Sequence, residues 1–147
     1  MITACDIRLA TADAIFSVRE TKMGLVADTG SLQRLPAIVG TGATAEMAYT
    51  GGDFDSAWAK ANGLVNEVFD DRAALMKGAT NLARGIASNS PLVTQGVKRV
   101  LAATEGMTVA QALDYVAQWN SSYLISNDLL EAINAFMEKR NPDFTGT

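Results

Sequence analysis

The chain has 147 residues, 48% apolar and 19% charged, with a net charge of -4 at pH 7. This size and composition suit a globular domain that buries a core and exclude a disordered chain. With no run of Lys or Arg they also exclude nucleic-acid binding through phosphate neutralisation, and with no histidine and one cysteine, Cys5, they exclude disulfide frameworks, zinc sites and His-based triads.

Mean hydropathy is +0.10. Either Ala-rich helices raise it, or some apolar surface meets another subunit or another part of the fold. No apolar run approaches the roughly 20 residues of a membrane span. The N-terminus lacks the basic start and apolar stretch of a signal peptide, and Thr145-Gly146-Thr147 is not a peroxisomal tripeptide. A soluble cytoplasmic protein is the expectation.

Alternation of polar and apolar residues predicts short strands at 6–9 and 16–19, joined through Thr11-Ala12-Asp13-Ala14. Residues 24–30 form a glycine-bounded loop. A short helix follows, with Leu32, Leu35 and Ile38 at helical spacing and Pro36 near its end. A second helix is predicted over 43–50, closed by Gly51-Gly52, and a third over 56–62, stopped by Gly63. Residues 64–69 read as a strand.

From Asp71 onward the pattern is helical. Ala74, Leu75, Ala79, Leu82, Ala83 and Ile86 give one apolar stripe. Ser90-Pro91 is a helix start, with Val93, Val97, Val100 and Leu101 predicted to face inward. Thr108 caps a helix carrying Val109, Leu113, Val116 and Tyr123 on one side. Ser126 caps the last, with Leu129, Leu130, Ile133 and Phe136 inward. The division expected is 1–70 for a sheet-bearing part and 71–147 for a helical part.

With no histidine, acid–base chemistry near neutral pH falls to carboxylates, Lys or Tyr. Glu20 and Asp28 bracket a segment containing Met23, Leu25 and Val26. Glu20 follows a predicted strand and Asp28 precedes a predicted helix, so a turn closed by Gly24 brings both acids toward one pocket. Apolar surroundings disfavour the charged form of a carboxylate, and such a pair suits moving a proton between carbons. The plain alternatives are a solvated strand-end Glu20 and an Asp28 that caps the helix. Cys5 is expected to be a small buried hydrophobe, and Asp70-Asp71 a solvated helix start. Lys139 sits either against a ligand phosphate or as favourable charge at a helix C-terminus. Trp58 and Trp119 are expected to be packing residues.

Ala4-Cys5-Asp6-Ile7-Arg8, Phe16-Ser17-Val18-Arg19-Glu20 and the run from Gly24-Leu25-Val26-Ala27-Asp28 through Leu35-Pro36 resemble the central segment of the enoyl-CoA hydratase/isomerase (crotonase) family. Leu64-Val65-Asn66-Glu67-Val68-Phe69, the Ser90-Pro91 start and the ending Ala135-Phe136-Met137-Glu138-Lys139-Arg140-Asn141-Pro142-Asp143-Phe144 also resemble that family. Asp28, where hydratases usually have Gly, and Tyr115-Val116-Ala117-Gln118-Trp119-Asn120 resemble the dienoyl-CoA isomerase branch.

The resemblance implies an α/β, crotonase-like spiral core, present in part, with a helical C-terminal trimerisation region. It implies a homotrimer or hexamer acting on an acyl-CoA thioester in fatty-acid β-oxidation, with no cofactor beyond the coenzyme A of the substrate and no metal, nucleic-acid or membrane partner. The implied reaction moves the double bonds of a 3,5-dienoyl-CoA to the 2,4 positions. Glu20 and Asp28 would be the catalytic pair, and Met23, Leu25, Val26 and Lys139 would line the substrate. In the isomerase branch a further acid precedes the segment matching residues 1–6. The family's oxyanion-hole N–H groups and most of its CoA-binding surface also lie upstream, so the chain resembles about half of the family's length. The implied alternatives are an enoyl-CoA hydratase, a truncated non-catalytic assembly module, and a product needing a complementary N-terminal piece.

Overall fold

The structure, a computed structural model, describes residues 2–147. It comprises two compact units, Met1–Thr80 and Asn81–Thr147. In the first, a 3-10 helix Ile2–Ala4 leads to β1 (Leu9–Thr11) and β2 (Ile15–Phe16). A second 3-10 helix, Arg19–Met23, precedes α1 (Ser31–Thr50), β3 (Phe54–Asp55), α2 (Ser56–Ala61) and β4 (Glu67–Phe69). Strand β1 pairs in parallel with β4, setting Leu9 opposite Glu67 and Thr11 opposite Phe69. Strand β2 pairs antiparallel with β3, setting Phe16 opposite Phe54. Helix α3 (Arg72–Ala87) follows, its first turn capped by Asp71, whose carboxylate accepts the Ala74 N–H at 2.8 Å.

The strands are shorter than the alternation predicts, and side chains explain why. Segment 5–8 is held by Arg8, whose guanidinium donates to the carbonyls of Leu64 and Cys5 and whose N–H donates to Asn66 Oδ1. Those bonds replace a ladder, so pairing begins only at Leu9. Cys5 lies in this irregular stretch and is exposed, not buried as expected. The chain leaves β2 at Ser17, whose hydroxyl donates to the Gly52 carbonyl at 2.7 Å. Leu64 and Val65 both donate to the Ala59 carbonyl, closing the end of α2 around Gly63 (φ 75°). Only the end of the expected 64–69 strand remains free to pair.

Helix α1 is two helices in succession, as the spacing predicts. Gly40 interrupts it with φ 82° and ψ 163°, a conformation that glycine adopts without penalty. A buried cluster gathers Val18, Ala27, Leu35, Met47, Ala48, Phe54, Ala59, Leu64 and Val65. Trp58 packs on Phe54 with ring centroids 4.4 Å apart, the packing role expected of it. Full burial of a side chain such as Leu64 contributes about 1.5–3 kcal/mol relative to exposure.

The second unit contains α4 (Pro91–Ala103), α5 (Val109–Tyr123) and α6 (Asn127–Glu138). Their starts follow the sequence. Ser90 accepts from the Val93 N–H, Thr108 and Gln111 form a reciprocal capping box, and Ser126 accepts from the Leu129 N–H. A Cβ on Gly96 would lie 2.9 Å from Trp119 Nε1, so a glycine is what lets α4 and α5 approach. Trp119 also stacks on Tyr123, with Arg99 5.8 Å from its ring centre.

The apolar faces expected to point inward are a correction. Val93, Val97, Leu101, Leu113, Leu130, Ile133 and Phe136 are exposed. Periodicity identifies an apolar face but not what covers it. Among the described residues no helix is long and apolar enough to cross a membrane.

Candidate active site

Glu20 lies in the 3-10 helix Arg19–Met23, half-buried. That helix ends at Gly24 (φ 72°), whose N–H donates back to the Thr21 carbonyl at 3.2 Å, while the Leu25 N–H donates to the Glu20 carbonyl at 3.0 Å. The turn closed by Gly24 is therefore present. It places Glu20, Met23 and Leu25 on one tight bend.

Three contacts hold this bend against the rest of its unit. The Thr21 hydroxyl donates to the Ala48 carbonyl in α1. Lys22 lies over Gly51, where a Cβ would meet its Cγ at 3.0 Å. Arg19 pairs with Asp53. None of the three was legible from the sequence, because each joins positions far apart in the chain.

Asp28 is exposed, and its neighbour Ala27 is buried. It does not cap α1. The capping position is Gly30, left-handed at φ 84°, with no side-chain cap bond. The helix-cap explanation of Asp28 is thereby removed. Arg34 folds back over Gly30, donating to the Thr29 carbonyl at 3.2 Å, and a Cβ on Gly30 would meet its Nη1 at 2.5 Å. Gly30 and Arg34 thus shape the loop that carries Asp28.

Between the two acids, Met23 is 71% exposed, Leu25 60% and Val26 78%. Three apolar side chains thus stand exposed on a surface segment that a carboxylate flanks at each end. The second unit carries a hollow of its own. It has a volume of about 310 Å³ and is lined by Met107, Gln111, Asp114, Tyr115 and Gln118 on and before α5. Lys139 belongs to the second unit, where it ends α6 in a left-handed conformation at φ 55° and is exposed.

The sequence pattern that defines the enoyl-CoA hydratase/isomerase family matches residues 1–147. The chain belongs to that family. A peroxisomal Delta(3,5)-Delta(2,4)-dienoyl-CoA isomerase of Arabidopsis thaliana is 49% identical over 144 residues, covering 98% of this chain and 52% of that protein. A mitochondrial dienoyl-CoA isomerase of Dictyostelium discoideum is 47% identical, covering 98% and 49%. The solved enoyl-CoA hydratase of Bacillus anthracis superposes with a TM-score of 0.94 at 32% identity, covering 99% of this chain and 56% of that one. The fold is thus α/β and crotonase-like, and this family member spans about half the length of the curated relatives it matches.

The relatives also correct one expectation. They are named as peroxisomal in Arabidopsis and mitochondrial in Dictyostelium and mouse, which overturns the cytoplasmic reading. Cellular addresses are short terminal signals read by receptors. The composition of the body of a chain carries no trace of them.

Proposed function

We propose that this chain carries the proton-transfer carboxylates of a 3,5-dienoyl-CoA to 2,4-dienoyl-CoA isomerase, with Glu20 and Asp28 as the pair. Shifting both double bonds one position toward the thioester takes a proton from C2 and returns one at C6. The electrons of the broken C2–H bond become the new C2=C3 bond, the diene shifts along, and the net composition is unchanged. Two carboxylates suffice, one accepting and one donating. Met23, Leu25 and Val26 would lie along the acyl chain. The thioester oxygen, which becomes negative in the enolate, requires N–H donors, and those are expected from outside this chain.

The observation that carries this reading is Asp28 itself. It is exposed beside a buried anchor, has no side-chain partner among the described residues, and does not serve the helix that follows. The identity to dienoyl-CoA isomerases supports the same reading. The test is conversion of a 3,5-dienoyl-CoA by the wild-type chain and by its Asp28→Asn and Glu20→Gln variants. Loss of one proton-transfer group commonly costs about 10²–10⁴-fold.

A second reading, an enoyl-CoA hydratase with Glu20 as one acid of a water-adding pair, is favoured by the close superposition on a solved hydratase. Incorporation of labelled water oxygen into a 2-enoyl-CoA separates the two. The exposed apolar faces of α4 and α6 support assembly into a trimer or hexamer through the helical unit. Sizing at micromolar concentration tests that assembly.

A further inference from the structure

Helix α1 is tied to both carboxylates of the candidate site, through two different arms. The arms, 31–39 and 41–50, meet at Gly40, whose φ of 82° and ψ of 163° lie in a region essentially closed to residues with a side chain. Crowding has no part in this, because a Cβ on Gly40 would meet nothing within 4 Å. The backbone turn alone requires glycine there. Thr44 fastens the turn from a buried position, its hydroxyl donating to the Gly40 carbonyl at 2.8 Å. A hydroxyl bonded to the carbonyl four residues back bends a helix.

Around Glu20 the bonds run to the far end of the second arm and the residues just past it. Ser17 donates to the Gly52 carbonyl at 2.7 Å, Arg19 pairs with Asp53, and Thr21 donates to the Ala48 carbonyl. Asp28 instead leads into the first arm. The Arg34 N–H donates to the Gly30 carbonyl at 3.3 Å, and the Arg34 guanidinium donates to the Thr29 carbonyl at 3.2 Å. Ala27 and Leu35, on either side of that turn, share the buried cluster. A change of angle at Gly40 therefore turns the footing of Asp28 against that of Glu20.

We propose that Gly40 is a positioning residue that sets the separation of the Glu20 and Asp28 carboxylates through the angle between the two arms. The proposal rests on the reading of these acids as the proton-transfer pair. A proton taken at C2 and one returned at C6 require two carboxylates at a matching spacing, and a misplacement of about 1 Å can cost about 10²-fold. Gly42 supplies the control. A Cβ there also meets nothing within 4 Å, but its backbone stays helical, so alanine fits without a change of angle.

The experiment compares Gly40→Ala and Gly42→Ala with the wild-type chain. Spin labels at Met23→Cys and Gln33→Cys, in a Cys5→Ser background, read the distance between the Glu20 bend and the arm behind Asp28. Turnover of a 3,5-dienoyl-CoA is measured on the unlabelled chains. Gly40→Ala should move the distance beyond the width of the wild-type distribution. It should also lower kcat about tenfold or more at matched folded fraction, with KM within about twofold. Gly42→Ala should match wild type in both. A Gly40→Ala chain with the wild-type distance, or with a moved distance and the wild-type kcat, overturns the proposal. So does a Gly42→Ala chain that changes as much. A wild-type chain that converts nothing counts against the isomerase reading, and the distance then decides whether Gly40 spaces the two acids. Should Gly40→Ala fail to fold, Thr44→Val, which removes the hydroxyl bonded to the Gly40 carbonyl, takes its place. A moved distance in Thr44→Val that Thr44→Ser restores supports the proposal, and equal distances in all three chains overturn it.

Discussion

Val18 and Ala27 belong to one buried cluster, each 5% exposed, and each is followed closely by an acid that solvent reaches. Glu20 lies just past Val18, and Asp28 directly follows Ala27. The two buried residues therefore act as the common footing of both carboxylates. Val18→Ala should lower stability by about 1–2 kcal/mol, from lost burial plus a residual cavity. It should also lower isomerisation more than an equally destabilising change in the second unit. Denaturant unfolding alongside the activity assay checks both parts.

Gly30 should not tolerate a side chain. Its φ of 84° is left-handed, and a Cβ there would run into the Arg34 guanidinium. Arg34 is long and can swing aside, so the backbone strain dominates. Gly30→Ala should cost about 1–2 kcal/mol and release Arg34 from the Thr29 carbonyl. Since the same loop carries Asp28, activity should fall further than the stability change alone accounts for. Equal activity at matched folded fraction would contradict this role.

The C-terminal tail is held by two acids of α6. Glu131 is paired to Arg140 and accepts the Asp143 N–H, and its carboxyl is held down at about 2 from an ordinary 4.5. Asp128, buried, is also held below its ordinary 3.8, by the Ser90 hydroxyl first and then by the N–H groups of Thr145 and Gly146, against the opposing effect of burial. Both folded-state values are depressed. Their stabilisation is thus complete above the ordinary values and is lost as pH falls through the folded ones. Wild-type stability should decline between about pH 4.5 and about pH 2. Glu131→Gln should flatten that decline, and an unchanged acid slope in denaturant titrations would contradict it.

The parts of the fold that were legible are those written locally. Ser90, Thr108 and Ser126 cap helices because each side chain reaches an N–H within its own first turn. Gly24 and Gly63 mark breaks because the backbone there is left-handed. The strands were misplaced because Arg8 and Ser17 draw their hydrogen bonds from residues far along the chain. The apolar faces of α4 and α6 were correctly located, and only their covering was wrongly inferred. At the site, Glu20 and Asp28 stood out as acids beside apolar residues, but their pairing came from family resemblance. The contacts of Thr21 with Ala48 and of Arg34 with Thr29 needed the folded chain to be seen.

The most direct measurement is formation of 2,4-dienoyl-CoA from a 3,5-dienoyl-CoA in deuterated water, with deuterium counted in the product. It is made with the 147-residue chain alone and with the unmatched half of its Arabidopsis relative. We expect wild-type conversion with solvent deuterium at C6, and a loss of about 10²-fold or more in both Asp28→Asn and Glu20→Gln. Conversion by either variant at the wild-type rate, or no conversion by the wild-type chain in either setting, would contradict the assignment of these two carboxylates.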